Sequence, residues 1–408
     1  MKDVGNKLIL YELTEVPIKL LKLYSQKKPN SHFAYLIRNK NLIKTNTDDI
    51  GELHPWSTWP TIHRGVNNNV HNIYFINQDL SCAKDYPPIW EKLTSIDISI
   101  GIFGSLQSYP PFINKNTKFY LPDTFAPSPD AFPKELENFQ KFNLNMSKKN
   151  KAITRNIDLK NIKEFLNLIY NRQIKLNSIS KVMMHIIKEK ININYQKRRS
   201  LMQPIMTFDI YMEYLQKYKP SFSTYFTNHV AGMMHRYWED LFPIDDSKTD
   251  NKTTKFNKES ILKAMDIADK QLGKMLYFSK KNNYDLLVLS SMGQDHIDWG
   301  EYVPELFLDE INKTINCLGL NIRDYELLPA MQPDICIKCK DTHSKEILED
   351  RINKIKSVDG EILLPIRYKN SGSTINISIQ KSPITIEKKY VFIGSRKIKL
   401  EELGIDII

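Results

Sequence analysis

Cysteine is scarce, with four in 408 residues. That excludes a disulfide framework. Two of the four, Cys336 and Cys339, form a lone CxxC in "PDICIKCKDTH". A zinc site wants a second such pair or two well-spaced histidines, and only His343 is near. The alternation of Ile and Cys reads instead as a β-strand. Long apolar runs are missing too. No stretch approaches the ~18 apolar residues of a membrane span. The opening "MKDVGNKLILYEL" lacks the apolar core of a secretory signal, so a cytoplasmic protein is expected. Repeats and low-complexity tracts are absent. Arginine does not run beyond "QKRRS", and neither an RNA-recognition signature nor zinc-finger spacing occurs.

What is abundant is lysine. The formal net charge is +11 and the pI about 9.1. Such a balance raises nucleic acid as a partner. The lysines, however, are dispersed among Asn and Ile, a mixture that an AT-rich genome gives without selection for binding. Nucleic acid is therefore not the expected partner; a small anionic or glycan substrate is. Hydrophobic residues make up 41% of the chain, enough for a sizeable core. The length fits two or three domains, or one large α/β domain with insertions.

Short apolar runs alternate with helical patterns along the chain. "KLILYEL", "ISIGIFGS", "KFYLPDTFAP", "PSFSTYFT" and "YDLLVLSS" read as buried strands. "PIKLLKLYSQ" and "ESILKAMDIADKQLGKMLYFSKK" read as amphipathic helices. The pattern predicts an α/β fold with a mainly parallel central sheet flanked by helices. Residues 1–140 and 219–322 form its core and 141–218 a helical insertion or cap. Residues 323–365 form a small appended α+β unit, and 366–408 return to the core. Ligands of such sheets gather beyond the carboxyl ends of the strands. Glu12, Ser105, Asn228 and Ser291 fall near those ends.

"HPWSTWPTIHRGVNNNVHNI", residues 54–73, is the densest polar turn. Thr58 stands just before Pro60, where a helix is expected to begin. One reading is plain N-capping. The other is a nucleophile: free N–H groups at a helix tip hold an anion while the hydroxyl attacks phosphorus or sulfur.

The order of elements resembles the alkaline phosphatase superfamily, within it the type I phosphodiesterase/nucleotide pyrophosphatase-like branch. The resemblance runs through "LILYEL", "STWPTIHRGVNNNVHNI", "FTNHVAGMMHRYW", "YDLLVLSSMGQ" and "YVFIGSRKIKLEELGI". It implies a nucleophile at Thr58, followed by Gly65 and His71, and a pair of zinc-like ions that activate it. Of the positions that would ligate those ions, Glu12 alone keeps a carboxylate. Asn228 and Gly232 stand in the Asp-x3-His element, Ser291 and Met292 in the Asp-His pair, and Ser and Thr of "YKNSGSTINI" at the last His. Most metal-ligand positions are therefore substituted, and the usual dinuclear site cannot be rebuilt from them.

Two arrangements remain open. A divalent metal such as zinc sits in a shifted site drawn from His229, His235, Asp295 and His296. Or the site is metal-free, with Glu12, His229 or His235 as base to Thr58, and Arg64, His63, Asn228, Arg236 and Asp123 holding the substrate. The resemblance implies a phosphoesterase-related hydrolase or transferase acting on a phosphate or sulfate ester or a nucleotide-activated sugar, in carbohydrate or polysaccharide metabolism. The alternative is a catalytically inactive binding or scaffold protein of the same fold.

Overall fold

The structure, a computed structural model, describes residues 7–148, 174–243, 252–296, 304–319, 323–330, 334–368 and 372–407. The chain divides into two compact units, residues 1–69 with 87–297, and residues 70–86 with 298–408.

The first unit is built on five strands: β1 (Lys7–Leu13), β2 (Ile100–Phe103), β3 (Thr117–Leu121), β4 (Phe222–Thr227) and β5 (Tyr284–Leu289). Their order is β3-β2-β4-β1-β5, and every pairing is parallel. A parallel sheet is covered on both faces, so its strands are apolar throughout rather than alternating. β1 shows this directly. Ile9, Tyr11 and Leu13 belong to the large core on one face, and Leu10 to the smaller core on the other.

Helices cover both faces. In chain order they are α1 (Ile18–Lys27), α2 (His32–Arg38), α3 (Pro55–Arg64), α4 (Ile89–Ser95), α5 (Leu136–Lys148), α6 (Leu176–Ile191), α7 (Gln203–Tyr218), α8 (His229–Leu241) and α9 (Lys252–Asn282). α9 buries Ile261, Met265, Ala268, Leu272 and Met275, a spacing of four, three, four and three that keeps one face on the core. Trp90 of α4 sits in the smaller core with Leu10, Ile102 and Tyr120. Between β2 and β3, Gly101 faces Phe119, whose ring lies where a Cβ would be.

The expected helical insertion is helical over its described part, and its α7 packs on the central sheet. Tyr211 of α7 stacks on Tyr225 of β4 with ring centroids 4.8 Å apart and meets Phe103 of β2 at 5.7 Å. α7 thus covers the sheet. Residues 149–173 of that insertion lie outside the described residues. Directly after β4 the chain enters helix α8 at His229.

The second unit has its own core, including Ile337, Leu348, Ile375, Ile377 and Val391. An antiparallel sheet of Tyr325–Leu328, Ile335–Cys339, Ile366–Tyr368 and Thr374–Ile377 holds the CxxC strand. Cys336 and Cys339 are buried there, their thiols pushed up to about 12 and about 11 by burial. The helix Thr342–Ile352 starts at Asp341, whose carboxylate accepts the Ser344 N–H. Two boundaries need correction. The break falls at residues 297/298 rather than 322/323, and residues 366–408 belong with 323–365 rather than with the parallel sheet. Short strands that read as core continuations pair instead among themselves, Thr374–Ile377 with Ile335–Cys339 and Tyr390–Ile393 with Arg396–Lys399.

Candidate functional site

Helix α3 lies across the carboxyl ends of the central strands. It begins at Pro55, where a missing N–H is harmless, and ends at Gly65 in the left-handed conformation (φ 69°). Thr58 is therefore in the second turn, not at the helix tip, and it is not an N-cap. The expectation took Pro60 as the first-turn proline; Pro55 has that place, and Pro60 is inside the helix. An internal proline leaves the carbonyl four residues back without its donor. That carbonyl is Trp56, and the Gln107 side-chain amide donates to it at 3.3 Å.

Three side chains of α3 reach the strand ends. Trp59 Nε1 donates to Thr14 Oγ1 at 3.0 Å. His63 Nε2 lies 2.8 Å from Glu12 Oε1. Thr58 Oγ1 donates to Ser291 Oγ at 2.8 Å, with the His54 carbonyl as a second acceptor at 3.2 Å. Ser291 follows β5, so residues far apart in sequence meet because β5 and β1 are neighbours.

Glu12 is fully buried and His63 nearly so. The imidazole is held between two indoles, stacked on Trp59 at 5.6 Å and edge-on to Trp90 at 4.8 Å. A buried carboxylate is costly unless paired, and here only one oxygen is. Among the described residues Glu12 Oε2 has no hydrogen-bond partner, and neither does Ser57 Oγ on α3. Buried polar atoms without partners are uncommon and call for a reason.

A second constellation adjoins the end of β1. Glu15, in a left-handed backbone conformation (φ 62°), accepts from His235 Nε2 at 2.9 Å. Gln294 donates its backbone N–H to the Glu15 carbonyl at 3.2 Å, and its side-chain nitrogen lies 3.3 Å from His235 Nδ1. The Glu15 hydrogen bond raises the His235 pKa, with burial opposing. Glu15 was not singled out in the sequence. Its one signal was a carboxylate just past a buried strand, in "ELTEVP".

Asp123 lies in the loop after β3, and burial pushes its carboxyl up to about 6. Backbone N–H groups of Phe125, Ser108 and Gln107 act against that shift, Phe125 donating at 2.8 Å. Arg64, buried at the end of α3, opposes the upward shift that burial gives Glu91 and Tyr120.

The remaining expected residues are not drawn together. His229 is buried; Nδ1 lies 2.7 Å from Thr227 Oγ1 and Nε2 3.0 Å from the Ala264 carbonyl. Burial lowers its pKa to about 4, so it is a neutral packing residue with both nitrogens engaged. Asn228 and Arg236 are exposed. Asp295 pairs loosely with Lys19 at 3.8 Å, and His296 with Glu239 at 3.9 Å. Among the described residues no three His, Cys, Asp or Glu side chains converge as a metal would require. At the positions implied by resemblance, Ser291 offers a hydroxyl, Met292 a thioether and Gly232 nothing. This donor set does not fit a zinc pair. Gly65 ends α3, whereas His71 belongs to the second unit, its Nδ1 accepting the Ile73 N–H.

No family model matches this chain, and no curated protein matches it.

Proposed function

We propose that the chain is a phosphoesterase-related enzyme acting on a phosphate or sulfate ester or a nucleotide-activated sugar, with a metal-free site at the carboxyl edge of the parallel sheet. The observation that carries this reading is the buried Glu12 carboxylate, one oxygen on His63 and the other without a partner among the described residues. A base or a substrate anchor keeps a carboxylate oxygen uncommitted within the protein, which supports this reading. The meeting of Thr58 with Ser291 supports the same reading, since these positions carry the resemblance.

On this reading the Thr58 oxygen attacks phosphorus or sulfur, the ester oxygen leaves, and the hydroxyl proton passes to the Glu12–His63 pair. Attack by water or an acceptor hydroxyl then frees Thr58. Thr58 is 2% exposed, so the incoming ester displaces the Ser291 hydroxyl from it. Arg64 supplies positive charge for the anion. The test is turnover of a panel of phosphate and sulfate esters and nucleotide sugars, compared with Thr58→Ala.

A second reading, an inactive binding protein of this fold, rests on a separate observation. The Thr58 hydroxyl bonds to the Ser291 hydroxyl and the His54 carbonyl, neither of them a base. That reading predicts ligand binding without turnover in the same panel.

A further inference from the structure

The opposite, amino edge of the same sheet carries a different chemistry. A groove of ≈ 800 Å³ opens there, between α9, the end of α7 and the start of α6. Lys219 precedes β4 and Lys281 precedes β5, which fixes the groove at the amino ends of those strands. Its lining includes Lys175, Lys181, Lys219, Lys270, Lys274 and Lys281, and no carboxylate. All six lysines are exposed, and among the described residues no ammonium of the six has a carboxylate oxygen within 4.0 Å; the Asp209 carboxylate accepts the Lys175 backbone N–H at 3.3 Å. Dispersed in sequence, they are gathered by the fold. Burial and then the Lys175 and Lys181 charges lower the Lys274 pKa, with Asp209 opposing.

Three features narrow the occupant. Six lysines lining one groove repel each other, and a polyanion relieves that repulsion. Lysine is a point charge without the fork of arginine, so the groove reads charge rather than planar shape. And Tyr277, 71% exposed, stands on α9 between Lys274 and Lys281. Residues 270, 274, 277 and 281 recur at three- and four-residue steps, one stripe of a helix about 16 Å long at 1.5 Å per residue. Ammonium groups along a stripe with an exposed ring among them suit a phosphodiester backbone whose bases can stack.

We propose that this groove binds a single strand of nucleic acid, through its lysines to the phosphates and through Tyr277 to a base. The site is separate from the Glu12–His63 site and does not depend on it.

The test is fluorescence anisotropy of the full chain with a labelled oligothymidylate, at several salt concentrations, with inorganic polyphosphate as competitor. Binding weakens with salt with a log–log slope of about −3, as expected when about four phosphates are neutralised. Lys270→Glu with Lys274→Glu lowers affinity at least tenfold; both positions are exposed, and circular dichroism checks that the fold is kept. Tyr277→Ala lowers oligothymidylate affinity about fivefold or more and leaves polyphosphate affinity unchanged. Absence of binding at low salt overturns the proposal, as does binding that the double charge reversal leaves intact. Polyphosphate binding that matches the oligonucleotide, with Tyr277→Ala silent on both, also overturns it and marks a site for phosphate charge alone.

Discussion

Thr58 and Ser291, 233 positions apart, share a hydrogen bond of 2.8 Å between their hydroxyls. The bond ties helix α3 to the chain leaving β5 and is buried. Thr58→Val and Ser291→Ala each destabilise by about 1 kcal/mol, the usual net worth of such a bond. The double variant loses less than the sum, with a coupling of about 0.5–1 kcal/mol. Urea denaturation of the four proteins measures it, and zero coupling means the two hydroxyls do not meet.

Gln107 and Pro60 are coupled through a carbonyl that neither of them owns. Gln107→Ala removes the donor to the Trp56 oxygen, a loss of about 1 kcal/mol. In a Pro60→Ala background the restored backbone N–H serves that oxygen, and Gln107→Ala becomes nearly silent. An equal effect of Gln107→Ala in both backgrounds would show that the proline is not the reason for the amide.

His235 titrates above the ordinary histidine value because Glu15 holds its charged form. The raised value means its contribution to stability is complete below the unfolded value of about 6.5 and is lost as pH rises through the folded one. NMR titration is the direct reading. Glu15→Gln moves the His235 midpoint down, and an unmoved midpoint removes Glu15 as the cause.

Asp123 is the reverse of the usual carboxylate. Its folded value, about 6 against an ordinary 3.8, favours the protonated form. Stability from this group is therefore complete below 3.8 and falls as pH climbs toward and past about 6. Asp123→Asn lacks that dependence. The melting temperature of Asp123→Asn relative to the natural protein rises between pH 4 and pH 7.5; a constant or falling difference contradicts the buried-carboxyl account.

β1 and β2 of the parallel sheet were legible as apolar runs because a strand covered on both faces cannot hide its composition. The break at 297/298 was not, since the short strands on either side carry no mark of which sheet they will join. Thr58 was picked out for a position it does not occupy. Two prolines five residues apart, Pro55 and Pro60, both suit a helix start, and only packing against Thr14, Glu12 and Ser291 decides between them. His63 and Glu12 were separately visible as polar residues; that they pair depends on how α3 crosses the sheet. Glu15 stayed hidden because its partner His235 comes from a helix 220 positions later. The lysine groove was invisible for the same reason, its members coming from α6, the end of α7 and α9.

The proposed working site of Glu12 and Thr58 is read from steady-state turnover on the ester and nucleotide-sugar panel. The natural protein turns over at least one phosphate or sulfate ester or nucleotide sugar in the presence of a chelator. Glu12→Gln and Thr58→Ala each reduce kcat/KM about 100-fold or more while keeping the fold, in line with loss of a proton-transfer group or a nucleophile. No turnover of any member, or turnover that both variants retain in full, contradicts the account.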